Sequence, residues 1–258
     1  MSRIKNAFLS GKAFISFVTG GDPDLETTKE LIVAMEEAGA DLIEIGIPFS
    51  DPIAEGAVIQ EANERALSSG CTTDKLFDAI KEVKEKVTVP LVFLTYINPI
   101  YTYGKERFLK KCADCGIDGI IVPDLPFEER DELKEECKRY QVDLISLIAP
   151  TSKERVRMIA SQAEGFIYCV SSLGVTGVRT EIKTDISSMI SMVREVTDIP
   201  CAIGFGISTP EQAKEFAALA DGAIVGSAIV KLVAQYGKES IEPVKTYVRE
   251  MKAAVKEL

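Results

Sequence analysis

Two carboxylates set the chemistry open to this chain. Glu44 stands in the run Asp41-Leu-Ile-Glu-Ile-Gly-Ile-Pro-Phe-Ser-Asp51-Pro, and Glu55 follows in the same stretch beside Gly56. The chain has no histidine, so imidazole base catalysis is excluded and carboxylates must carry any proton transfer. Along a strand Leu42, Glu44 and Gly46 share one face and Ile43, Ile45 and Ile47 the other. If the isoleucine face packs on helices, Glu44 points into whatever the sheet encloses, where an unpaired carboxylate is costly. The strand alone leaves two readings: a structural Glu in an ion pair or at a sheet edge, or an acid/base group. The long loop ending in a second carboxylate favours the acid/base reading.

Three glycine features accompany the carboxylates: Gly204-Phe-Gly206, Gly226-Ser227 and the Gly174-Val-Thr176-Gly177 loop. Each follows an expected strand. Two adjacent strand ends rich in backbone N–H groups, with a helix opening at Gly226-Ser227, would hold a phosphate by dipoles; turns alone are the simpler reading. Phe17, Tyr96 and Tyr168 fall at other strand ends, where together they suggest walls for a flat, apolar substrate part.

These residues need a scaffold. Expected strands begin at Ala13, Asp41, Pro90, Gly119, Val142, Phe166, Cys201 and Gly222, and each is followed by a helical pattern. Asp22-Pro23 reads as an N-cap and first helical residue, Thr72 opens another helix, and Thr151/Glu154 and Ser208/Glu211 read as capping boxes. Short apolar strands alternating with helices predict a helix-covered parallel sheet. Eight such units in 258 residues predict an α/β fold, one (β/α)8 TIM barrel with extra N-terminal and loop helices, and residues 1–258 as a single catalytic domain. A doubly wound open sheet is disfavoured because the first strand lacks a GxGxxG turn. In a barrel these strand ends converge at one mouth, with Glu44 inside it.

Composition narrows the classes further. The chain is 46% hydrophobic with a net charge of −10 and no basic stripe, which argues against nucleic acid and anionic membranes. The opening residues are too polar for a signal peptide and no apolar run would span a bilayer, so the expected location is cytoplasmic. Cys112 and Cys115 form one CxxC without a second pair; they read as core thiols, and no metal site is expected.

Taken together, Phe17-Val-Thr-Gly-Gly-Asp22-Pro, Glu44-Ile-Gly-Ile-Pro-Phe-Ser-Asp51-Pro, Gly56-Ala-Val-Ile-Gln60, Ser171-Ser-Leu-Gly-Val-Thr176-Gly177, Gly204-Phe-Gly-Ile-Ser208 and Gly226-Ser-Ala-Ile229 resemble the tryptophan synthase α chain family over the whole length. The resemblance implies retro-aldol cleavage of indole-3-glycerol phosphate to indole and glyceraldehyde 3-phosphate, with no cofactor. It implies Glu44 as general acid/base and Glu55 as the carboxylate beside the indole N–H. Phosphate contacts would come from Gly177, Gly206, Gly226 and Ser227, with Thr176 in a loop that closes over the site. It further implies a pyridoxal phosphate-dependent β subunit as partner in an αβ heterotetramer. One departure stands out: the family's Ala-Asp-Gly-Pro is Ala54-Glu55-Gly56-Ala57 here. That change keeps open two other functions, a stand-alone indole-producing lyase and a weakly active regulatory partner of the β subunit.

Overall fold

The structure, a computed structural model, describes residues 3–170, 179–204 and 206–257, with the backbone alone described over 179–185. The first half holds β1 (Ala13–Thr19), α1 (Leu25–Glu37), β2 (Leu42–Gly46), α2 (Ala57–Ser68), α3 (Thr73–Lys84), β3 (Leu91–Leu94), α4 (Ile97–Tyr103), α5 (Lys105–Cys115) and β4 (Gly119–Ile121). The second half holds α6 (Asp131–Tyr140), β5 (Asp143–Leu144), β6 (Ser146–Ile148), α7 (Lys153–Ala160), β7 (Ile167–Val170), α8 (Arg179–Arg194), β8 (Cys201–Gly204), α9 (Pro210–Leu219), β9 (Gly222–Val225), α10 (Ser227–Tyr236) and α11 (Ile241–Lys256).

All strand pairings are parallel, in the order β5-β4-β3-β2-β1-β9-β8-β7-β6. Only Ile145 separates β5 from β6, and its N–H donates to the Ile120 carbonyl at 2.9 Å. The two ends of the sheet are therefore successive pieces of one run, and the ring comes round on itself as a TIM barrel. The expected single strand from Val142 to Ile148 is thus divided. Its front half pairs with β4 and its back half with β7, as the stagger of tilted barrel strands requires.

Alternation along the strands sorts side chains into layers. Ile43, Ile45 and Ile47 lie outside the barrel with Leu31, Ile32 and Met35 of α1 and Leu76, Phe77 and Ile80 of α3. Each such isoleucine stabilises the fold by about 2–3 kcal/mol on burial. The inward positions Ala13, Ile15, Leu42, Val92, Ile121, Ala202 and Ile224 form a second cluster. Ile4 and Ala7, from a 3-10 turn over Ile4–Phe8, join that cluster at its lower end. A third group, Phe17, Ile59, Ala62 and Val230, sits at the mouth. The six cysteines are buried and free, and burial pushes the Cys112 and Cys115 thiols up, as core thiols require.

Three helix starts differ from the sequence reading. Asp24, not Asp22, caps α1, accepting from the Thr27 N–H, and the Asp22–Pro23 peptide is cis. Ser152 rather than Thr151 caps α7. The capping box of α9 is Thr209 with Gln212. In the latter two the run of Ser and Thr offers neighbouring caps, and only the chain's exit from the strand selects between them. Among the described residues no helix is long and apolar enough to cross a membrane.

Candidate active site

Glu44 is the third residue of β2, and parallel register sets it between Phe17 of β1 and Val92 of β3. Both neighbours are apolar. The side chain is 1% exposed, and its Oε1 has no hydrogen-bond partner among the described residues. The ion-pair reading therefore fails for that oxygen. Desolvation, with no compensating donor, raises the Glu44 pKa to about 8. Tyr168 of β7 lies close enough that the Glu44 charge adds to burial in pushing its phenol upward. A carboxylic acid that keeps its proton at neutral pH, in an apolar mouth, can donate that proton to a bound substrate.

Glu55 ends the loop that leads from β2 into α2. It is half-buried, and its Oε2 accepts from the Asn63 amide at 2.8 Å. Burial raises its pKa, while the Asn63 amide and the Tyr96 hydroxyl pull it back. That hydroxyl also accepts from the Ala54 N–H at 3.1 Å, and the Tyr96 ring lies 5.5 Å from that of Phe49. Tyr96 thus belongs with Glu55 and its loop. Burial acts on both carboxyls, but Glu44 Oε1 has no donor among the described residues while Glu55 is held by donors.

Two of the glycine turns follow the paired strands β8 and β9. Gly226 precedes the ten-residue α10, whose first residue Ser227 is exposed. Gly206, after β8, has φ +75°, a left-handed backbone that favours glycine. Phe17 connects these parts. A Cβ on Gly46 would lie 2.8 Å from its ring and one on Gly226 3.3 Å away, so the ring is wedged between the Glu44 strand and the α10 turn. At Gly204 a Cβ would collide with the Tyr168 hydroxyl. Thr176 and Gly177 lie outside the described residues.

Two residues near the site escaped the sequence reading. Asn63 is 4% exposed and interrupts the apolar stripe of α2 formed by Ile59, Ala62 and Ala66; a polar residue at a stripe position is the signal that could have found it. Arg65 makes two 2.8 Å bonds to the buried Asp22 carboxylate, tying α2 to the loop after β1. Nothing in local sequence pairs them.

A family model described as Tryptophan synthase alpha chain matches residues 5–256. The tryptophan synthase alpha chain of Thermoanaerobacter sp. (strain X514) is 49% identical over 259 residues, covering 98% of this chain and 99% of its own. That of Lacticaseibacillus casei is 45% identical over 255 residues, covering 99% and 96%. Among solved structures, tryptophan synthase subunit alpha from Campylobacter jejuni matches with a TM-score of 0.87 at 35% identity, over 95% of this chain and 97% of that one. A structure of the tryptophan synthase a2b2 complex from Pyrococcus furiosus matches with a TM-score of 0.86 at 36% identity, over 94% and 99%. These matches run over nearly the whole length: the chain belongs to the tryptophan synthase alpha chain family.

Proposed function

We propose that this chain cleaves indole-3-glycerol phosphate to indole and glyceraldehyde 3-phosphate. Family membership gives it a lyase role in tryptophan synthesis, and the observation that carries the specific reaction is the buried Glu44 carboxyl at the barrel mouth, whose Oε1 has no partner among the described residues. Protonated at neutral pH, Glu44 donates to C3 of the indole, which becomes an indolenine carrying positive charge at its nitrogen. The resulting Glu44 carboxylate then takes the proton from the glycerol hydroxyl next to C3. The bond from C3 to that carbon breaks, its electron pair restores the indole, and the hydroxyl carbon becomes the aldehyde. Both steps leave Glu44 as it began, and no cofactor is required.

Glu55, whose carboxylate form is favoured by hydrogen bonds from Asn63 and Tyr96 against the opposing effect of burial, faces the indole N–H and stabilises the charge that develops there. Phe17 and Tyr168 flank the ring, with Tyr96 beside Glu55. The phosphate rests on backbone N–H groups of Gly177, Gly206, Gly226 and Ser227, and Thr176 closes over it. Residues 1–258 act as one barrel domain in the cytoplasm. The partner is a pyridoxal phosphate-dependent β subunit in an αβ heterotetramer; the similar Pyrococcus furiosus structure is of a tryptophan synthase a2b2 complex. The loop beyond β2 exposes Asp51 and Ile53, the latter 79% exposed, and this is the surface such a partner would cover.

The test is indole release from indole-3-glycerol phosphate by the purified chain, with and without a β subunit. Release that rises when the β subunit is added is the expected result. Fast release unaffected by it points to a stand-alone lyase, and no release under either condition removes the catalytic reading.

A further inference from the structure

The substitution of Glu for Asp at position 55 raises a geometric problem, since the carboxylate sits one methylene further from its backbone and Ala57 leaves the following turn less constrained than Pro would. The structure holds a candidate answer in α2. Asn63 is buried at 4% exposed, and its amide donates to Glu55 Oε2 at 2.8 Å, with no other acceptor among the described residues. Its helix is itself fixed from two sides. Ile59 and Ala62 pack with Phe17 and Val230 at the mouth, and two residues beyond Asn63 the Arg65 guanidinium grips the buried Asp22 with both nitrogens at 2.8 Å. The near side of the loop is held separately, through the Ala54 N–H on the Tyr96 hydroxyl. Glu55 therefore meets the mouth from a loop, while the donor that aims it stands on a clamped helix.

We propose that Asn63 is a positioning residue for the lyase reaction, holding the longer Glu55 side chain in the place and orientation that the indole N–H requires. The inference rests on the proposed role of Glu55. A hydrogen bond from a fixed amide to a carboxylate restricts rotation about the added bond, which is the freedom that Glu has and Asp lacks. Asn63 does not itself reach the substrate; it acts on turnover only through Glu55.

A double-mutant cycle on the αβ complex tests this, with kcat and KM for indole-3-glycerol phosphate as readouts. Asn63→Ala is expected to lower kcat by about tenfold or more, the scale of a lost charge-assisted hydrogen bond, with KM changed by less than about threefold. In a Glu55→Gln background the same substitution is expected to change kcat by less than about twofold, because the carboxylate it aims is gone. An equal kcat loss in both backgrounds would overturn the proposal and leave the role of Glu55 standing, since Asn63 would then act on packing alone. Near-normal activity of Glu55→Gln by itself would overturn the role of Glu55 and the proposal with it. If Asn63→Ala does not fold, Asn63→Ser, which leaves a smaller void and a polar group, takes its place in the cycle; additivity with Glu55→Gln counts against the proposal in the same way.

Discussion

The acids at the barrel floor and Glu44 at its mouth sit in opposite settings. At the floor, an acid just before one strand accepts a backbone N–H at the start of a neighbouring strand, and the pattern repeats. Asp41 accepts from Phe14 at 2.6 Å and from Lys252 at 2.6 Å. Asp118 accepts from Leu91 at 3.1 Å and faces Arg3 and Lys84. Asp221 accepts from Cys201 at 2.7 Å and pairs with Arg194, and Glu164 accepts from Leu144 at 3.3 Å. At the mouth, Glu44 has an oxygen with no donor among the described residues, and the Thr19 hydroxyl of β1 is likewise buried with no partner among them. A barrel can satisfy its buried acids, and this one does so at these four floor positions. Glu44 is left unsatisfied where substrate is expected. The floor acids stabilise the fold; the mouth acid destabilises it and is free to react.

The largest effect expected from breaking this contrast is on Glu44. Glu44→Gln should reduce turnover by about a hundredfold or more, the usual scale for losing a general acid/base. Its effect on stability should run the other way. The folded carboxyl holds its proton up to about 8 rather than 4.5, so between those values the native state binds the extra proton and wild-type stability falls as pH rises. Calorimetry at pH 5 and pH 8.5 should show the variant gaining stability relative to wild type at the higher pH. A gain of equal size at both pH values would mean that Glu44 is not the group responsible.

Next in size is the floor. Asp41→Ala removes the acceptor from the Phe14 N–H and leaves Lys252 unpaired in a largely buried setting, which should cost about 2–3 kcal/mol of stability. Turnover by the folded protein should stay within about twofold of wild type, since the change lies at the end of the barrel remote from chemistry. Denaturant titration and steady-state rates measured together check both halves. A loss of turnover without loss of stability would blur the division between the two ends.

The smallest effect concerns Glu55. In this loop Asp would fall short of Asn63, so Glu55→Asp should lower kcat by only about three- to tenfold, the cost of one weakened hydrogen bond with the charge retained. Activity equal to or above wild type would show that the longer side chain gives no advantage.

Much of this contrast could be read from residue order. Alternation in Leu42–Gly46 turned Glu44 inward, and the strand-helix repeat gave the barrel and brought the glycine turns to one end. What could not be read depends on contacts between elements. Tyr96, grouped by its place after a strand with Phe17 and Tyr168 as a wall around Glu44, instead bonds the Glu55 loop, because α4 begins there and turns the side chain toward Ala54. Asp22 looked like a helix cap by its position before Pro23, yet its carboxylate is taken by Arg65 from a helix two elements away. The break at Ile145 follows from barrel stagger, which no single strand's composition encodes.

The central claim is that Glu44 is a neutral acid at physiological pH. Infrared difference spectroscopy between wild type and Glu44→Gln, taken across a pH series, reads its carboxyl directly through the band of the protonated group. That band should be present at pH 7 and disappear with a midpoint of about 8. A band already lost by pH 6, with the midpoint near the ordinary carboxylate range, would contradict the account.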